Sequence, residues 1–344
     1  IVNIKKGYKY MSHMLKIVIF SAVVSLLFPY ENKFSFGNSS TGNKISLSHN
    51  PELTAIEGGY TRLVKLGDGH INEPGMPELP QFTTYYQLDP SKTYDFQLEI
   101  LESYIIENIT ILPHQGMEKW EVDVVNNINE GIYNSYDAFP EENMVISERS
   151  QGRGIEFVSI NVIPYTYYPK YNRLEVYNAI DIQVIETGEN PDNQLNQPKR
   201  SHIFDEFYKD IIVNFEYSDR PEDYQAQAIL YIGGGSSLSN SYVQDLIEWR
   251  HKQGYIVYTA TEDEVGGSSA STSEIKAYIA NAYDNWENPP ELVGLIGDTG
   301  GSYSLPNYSH SWGMRYTGAT DFNYTQLDDS GDLIPEVFIG RLSF

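Results

Sequence analysis

The sequence predicts two domains of different class: an all-β, sandwich-like domain, then an α/β domain built on a mostly parallel sheet flanked by helices. Three observations predict this. At 344 residues the chain is long enough for roughly two domains of about 150 residues each. Short runs rich in Tyr, Ile, Val, Phe and Thr, several alternating apolar with polar residues, recur over residues 38–190. Over residues 226–344 the pattern changes to apolar strand, helix, strand, helix, strand, the order of a parallel sheet with right-handed crossovers.

Residues 1–37 read as a leader. Lys5, Lys6, Lys9 and Lys16 precede the apolar run Ile17–Phe28, which Pro29, Glu31, Asn32 and Lys33 end. Such a run suits the core of a signal peptide and falls short of the about 20 residues a membrane span needs. A buried core helix is the alternative, disfavoured by the position at the extreme N-terminus behind lysines. The chain opens with Ile1, so Met11 or Met14 is the expected start. The leader implies a secreted or cell-surface protein.

In the β-rich region, strands are expected at Gln81–Leu88, Tyr94–Leu101, Lys119–Val125, Ile155–Pro164 and Leu174–Glu186. Between Ile155 and Pro164, Val158, Ile160 and Val162 alternate with Phe157, Ser159, Asn161 and Ile163. The segment Glu73–Pro80 carries too much proline for a central strand and reads as an extended lead-in. His70 and His114 stand alone and read as surface or satisfied histidines. Nothing here has the spacing of a catalytic or metal site. Gly188–Arg200 is polar without an apolar period, and a linker is expected over residues 191–225.

The α/β region starts with the strand Ala228–Ile232 and the glycines Gly233–Gly235. A helix follows over Asn240–Gln253. Asn240 caps it, Val243, Leu246 and Ile247 form its apolar stripe, and Arg250, His251 and Lys252 complement its negative end before Gly254 stops it. Tyr255–Ala260 is the second strand. Ser271 and Glu274 form a capping box for a helix burying Ile275, Tyr278, Ile279, Ala282 and Tyr283. Leu292–Ile296 is the third strand. In such sheets function sits at the carboxyl ends of strands, here the glycine loop, Thr261–Glu264 and Gly297–Asp298. The long stretch over residues 299–335 has no helical period, so nothing dictates the direction of the fourth strand, Glu336–Arg341. An antiparallel strand is allowed and would bring Glu336 to the end of the sheet that holds Asp298.

Composition narrows the chemistry. Lys plus Arg number 23 against 47 Asp plus Glu, a formal charge of −24, so no basic face for nucleic acid is expected. The absence of cysteine excludes disulfides, thiolate metal sites and a thiol nucleophile within these residues. No G-x-S-x-G, H-E-x-x-H or P-loop lysine occurs. His310 and His251 read as loop surface and helix end. The sharpest local feature is acidic: Asp321, Asp328, Asp329, Asp332 and Glu336. Carboxylates this close repel unless solvated or bridged by a cation, and hard oxygens suit calcium. Asp328–Asp332 departs from EF-hand spacing, so these residues alone leave a cation site and a solvated turn both open.

Several stretches, in order, match one family. Gly75-Met76-Pro77-Glu78-Leu79-Pro80 and Val162-Ile163-Pro164-Tyr165 through Leu174-Glu175-Val176-Tyr177 resemble the start and end of a propeptide. Ala228–Ile232, Leu246–Arg250 with Gly254-Tyr255, and Ile275–Ile279 with Ala282-Tyr283 resemble the opening of a peptidase domain. Leu295-Ile296-Gly297-Asp298 and Glu336-Val337-Phe338-Ile339-Gly340-Arg341 are the most similar motifs. Together they resemble precursors of the gingipain-like cysteine peptidases, of the caspase-like group.

The resemblance implies a zymogen: an all-β propeptide that covers the active-site cleft of a truncated caspase-like α/β domain. Its substrates would be proteins or peptides, cut by a Cys/His pair lying past Phe344, so no residue here is assigned a catalytic role. It implies a structural calcium held by Asp298, Asp332 and Glu336 with backbone oxygens at Asp329 and Ile334. It implies activation by cleavage after a basic residue, with Arg200 and Arg220 as candidates. Type IX secretion machinery is a further implied partner. The competing class is a non-catalytic, secreted calcium-binding surface or adhesion module on the same scaffold.

Overall fold

The first strand, β1 (Phe34–Asn38), folds back on β2 (Asn43–Ser48) in an antiparallel pair. It takes in Phe34–Gly37, the last four residues of the segment expected as a leader. The computed structural model describes residues 33–38, 42–56, 58–64, 68–116, 127–191, 199–267, 269–312, 316–327 and 334–343. The apolar run Ile17–Phe28 and the strand expected at Lys119–Val125 lie outside them.

Eleven further segments complete the β-rich part: β3 (Glu52–Ile56), β4 (Tyr60–Val64), β5 (Gly69–His70), β6 (Pro80–Leu88), β7 (Lys92–Glu107), the single turn α1 (Glu130–Tyr133), β8 (Met144–Ile146), β9 (Ser150–Gly152), β10 (Ile155–Val162), β11 (Tyr165–Tyr168) and β12 (Arg173–Glu189). β12 is the spine of one sheet. β7 pairs along one edge of it, and β2 and β11 share the other. The second sheet runs β5-β6-β10-β8, with β9 also on β10. Alternation places Phe82, Tyr86 and Leu88 of β6 inward with Val158, Ile160 and Val162 of β10, against Ile45, Leu47, Ile180, Ile182 and Val184 of the first sheet. The expected sandwich-like packing is present. β7 outruns its expected length because its outer half, with Leu101 and Ile105 exposed, is held by pairing to β12 rather than by burial.

The α/β part holds β13 (Ala228–Gly233), α3 (Ser241–Lys252), β14 (Ile256–Thr261), the turn α4 (Glu262–Val265), α5 (Thr272–Asn285), β15 (Leu292–Ile296), the hairpin β16 (Tyr308–Trp312) and β17 (Tyr316–Thr320), and β18 (Phe338–Leu342). The helix before them, α2, spans His202–Ile211. The sheet order is β14-β13-β15-β18. β13 is buried throughout, as a strand covered on both faces must be. Its Ile229 and Tyr231 meet Val243 of α3; its Leu230 and Ile232 meet Ile275, Ile279 and Tyr283 of α5. The caps expected at Asn240 and Ser271–Glu274 are formed.

Two expectations change. β18 pairs with β15 in parallel, from Leu292↔Phe338 to Ile296↔Leu342, so the antiparallel option is not taken. The long connection, with its β16-β17 hairpin, carries the chain back across the strand and replaces a crossover helix. The segment expected as a linker over residues 191–225 contains α2, capped by Ser201. Phe204 and Tyr208 of α2, with Ile212 just past its end, are buried among Ile155 and Phe157 of β10 and Ile334.

Candidate functional site

At the carboxyl ends of β13 and β15 two loops lie backbone to backbone. A Cβ on Gly234 would sit 2.5 Å from the Tyr303 carbonyl oxygen, and one on Gly297 2.1 Å from the same atom. The glycines therefore serve close approach, and no phosphate cradle is implied. Asp298 sits here. Its Oδ1 accepts the Thr299 N–H at 2.7 Å, and its carbonyl accepts the Leu305 N–H at 2.7 Å. Arg341, near the end of β18, clamps the long loop to this end of the sheet. Its Nε and Nη2 donate to the two carboxylate oxygens of Asp321 at 2.9 and 2.8 Å, and Nη1 and Nη2 donate to the carbonyls of Leu305 and Pro306 at 2.9 and 3.0 Å. Asp321, first read with the acidic cluster, is thus neutralised by a cation of the chain itself.

Glu336 stands at the other end of the sheet, two residues before β18. It is buried, and its Oε2 accepts the Leu327 N–H at 2.6 Å. The parallel direction of β18 separates it from Asp298 by more than the length of β15, whose four rises cover about 13 Å. The structure therefore does not bring Asp298 together with Ile334 and Glu336. Asp329 and Asp332 lie outside the described residues. The Ile334 carbonyl accepts the Gln326 amide at 3.2 Å.

The two parts of the chain meet at this amino end. Arg153, in the left-handed turn between β9 and β10 (φ 46°), is fully buried. Its Nη2 donates to the carbonyls of Pro290 at 2.6 Å and Glu336 at 2.9 Å, Nε donates to the Glu336 carbonyl at 3.1 Å, and Nη1 donates to Gln225 Oε1 at 3.3 Å. The guanidinium lies 5.0 Å from the Phe204 ring centroid and 4.8 Å from that of Tyr283. Burial pulls it below the ordinary arginine value and pushes the neighbouring Glu291 carboxyl up. Beside it, Phe338 of β18 stacks on Phe204 of α2 at 4.4 Å and meets Phe207 edge-on at 5.6 Å. Composition and spacing gave no sign of Arg153; a basic residue in an Arg-Gly turn is ordinary until its environment is known.

The two candidate cleavage arginines differ sharply. Arg200 is buried. Its Nε and Nη2 grip the fully buried Asp205 at 3.2 and 3.0 Å, Nη2 also donates to the Glu216 carbonyl at 2.9 Å, and the Tyr224 hydroxyl donates to Asp205 at 2.6 Å. The carbonyl of its following peptide bond accepts the Gln225 N–H at 3.0 Å. Arg220 precedes a short 3-10 turn with its side chain 71% exposed, paired only locally with Asp223 at 2.8 Å.

Two histidines read as solitary are neighbours. The ring centroids of His70 and His114 are 5.1 Å apart, and His114 Nδ1 lies 3.4 Å from Glu78 Oε2. His70 is exposed and His114 is paired with Glu78, as a surface and a satisfied histidine are expected to be, yet strand pairing brings them together although their sequence spacing gives no sign of it.

Comparison with known proteins bears on residues 50–344. The model of the C25 propeptide matches residues 50–221, and that of peptidase family C25 matches residues 223–344. Gingipain R1 of Porphyromonas gingivalis is 25% identical over 281 residues, covering 80% of this chain and 27% of that protein. A second Gingipain R1 sequence of that species matches at 25% identity over 16% of its length. The chain therefore spans about a quarter or less of these curated relatives. A solved complex of Porphyromonas gingivalis RgpB pro- and mature domains is 20% identical with a TM-score of 0.43, covering 54% of this chain and 100% of that one. A structure addressing zymogenic latency of gingipain K from the same species is 22% identical with a TM-score of 0.37, covering 46% and 93%. With the propeptide model alone matching half of the residues and the peptidase model following it, the chain belongs to peptidase family C25 as a gingipain-like precursor.

Proposed function

We propose that the chain is the latent, amino-terminal portion of a secreted cysteine endopeptidase. The observation that carries this is the junction of the two family matches at residues 221 and 223, inside the exposed turn that holds Arg220. The α/β part supplies the first half of a caspase-like domain. The Cys/His pair is contributed by sequence past residue 344, in keeping with the absence of cysteine here and the small share of the relatives' length covered. The propeptide acts as intramolecular inhibitor. Protein or peptide substrates, export behind Ile17–Phe28, and handling by type IX machinery belong to the same reading.

Activation proceeds by a cut after Arg220 rather than Arg200. Arg200 would have to leave its buried pair with Asp205 and unfold the start of α2 before any protease could seat it. The enzyme that cuts after Arg220 must accept Pro221, which has no N–H and a fixed φ. The calcium reading is proposed in reduced form, on Asp329, Asp332, Ile334 and Glu336, which lie close in sequence, whereas Asp298 is at the far end of the sheet. Calcium-induced thermal stabilisation should persist in D298N and fall in E336Q; its loss in D298N refutes the reduced set.

The experiment that tests the function is expression of the complete precursor with peptide hydrolysis and N-terminal sequencing followed together. Activity should be absent until a new terminus at Pro221 forms. Activity of the uncut precursor, or a complete precursor without cysteine, overturns the proposal.

A further inference from the structure

The propeptide brings three metal-binding side chains to one face of a small antiparallel ribbon. The proline-rich segment Met76–Pro80 lies between β5 and the stretch Ile111–His114. Pro77 bridges Pro113, the His114 N–H donates to the Met76 carbonyl at 2.8 Å, and the Glu78 N–H donates to the Leu112 carbonyl at 2.9 Å. On the other side His70 pairs with Pro80, and the Ile71 N–H donates to the Leu79 carbonyl at 2.9 Å. Met76, Glu78 and Pro80 share a face by the two-residue period, so Glu78 is the diagonal neighbour of both His114 and His70.

The resulting geometry is that of a ligand set. One ligand atom from each of His70, Glu78 and His114 lies within 4.8 Å of the other two. Tetrahedral zinc with bonds near 2.0–2.1 Å needs ligand atoms roughly 3.3 Å apart. The 3.4 Å between His114 Nδ1 and Glu78 Oε2 already meets that, and closing the remaining gap takes a side-chain rotation of the exposed His70. Arg62 Nε lies 2.9 Å from the other carboxylate oxygen, Oε1, an ion pair without hydrogen-bond alignment, while Oε2 is the oxygen that faces His114. Glu78 and His114 are mostly buried, so a bound ion would be enclosed on two sides and open to solvent past His70.

We propose that His70, Glu78 and His114 bind a divalent transition-metal ion, zinc by ligand type, with water in the fourth position. The ion fastens the proline-rich segment and β5 to the stretch ending at His114, and so stabilises the folded propeptide. This site is separate from the calcium reading and does not depend on the peptidase assignment.

The test uses the 344-residue chain, freed of metal with a chelator and then dialysed. Isothermal titration with zinc chloride should show one site per chain, weakened about tenfold or more in both H70A and H114Q. Cobalt(II), used as a visible-absorption probe, should give bands of a nitrogen-ligated, low-coordinate ion that vanish in H70A. His70 is exposed, so H70A keeps the fold, and its far-UV circular dichroism checks that. No zinc binding by the unmodified chain, or unchanged zinc affinity and cobalt bands in a folded H70A, overturns the proposal.

Discussion

Arg153 carries a full positive charge into a place without solvent, and backbone carbonyls rather than a carboxylate contact receive it. Each of its nitrogens has an acceptor, which is the condition for a buried guanidinium to be tolerated. R153M keeps much of the volume but strands the carbonyls of Pro290 and Glu336. It should lower unfolding free energy by about 2–4 kcal/mol in urea denaturation. Glu291 has the opposite problem. Its carboxyl is raised, first by burial, with Ser201 and Arg153 pulling the other way. A carboxyl that holds its proton more tightly when folded weakens the native state as pH rises from the ordinary carboxyl range through its folded value. E291Q lacks that titration, so its melting temperature should gain on the unmodified protein from acid to neutral pH. A constant difference across that range would refute this.

At the scale of the element, legibility followed from how much of the physics was local. β13, β15, α3 and α5 were readable because unbroken apolar runs, caps and 3.6-residue stripes act within each segment. Ser271 shows it: its hydroxyl accepts the Glu274 N–H at 3.3 Å while Glu274 returns a bond to the Ser271 N–H at 2.8 Å. S271A should destabilise α5 by about 1 kcal/mol, measured by hydrogen exchange of its first turn. α2 hides in a segment whose polar flanks read as a linker, although Ile203, Phe204, Phe207, Tyr208 and Ile211 repeat at helical spacing behind Ser201. β18's direction was not legible, since no local feature encodes which way a non-helical connection returns. Nor was the meeting of His70, Glu78 and His114, which depends on pairing between segments many residues apart.

For the whole molecule, the decisive arrangement is that the propeptide grips the peptidase half at the amino ends of β15 and β18, through Arg153 and the Phe204–Phe338 stack. Limited proteolysis of the folded chain at arginine should cut first after an exposed site and spare Arg200; R200Q should instead lower stability, since Asp205 would lose its cationic partner inside the fold and keep only the Tyr224 hydroxyl. A cut at Arg220 breaks no part of that grip. It only turns a tethered contact into a bimolecular one, so the local concentration once supplied by the backbone gives way to the concentration in the tube. Under the proposed activation, maturation would have two clocks, a fast scission and a slower shedding of the severed piece. Diluted, nicked material should come apart on gel filtration where concentrated material travels as one, so a crowded milieu would hold the two pieces together after the chain is already open.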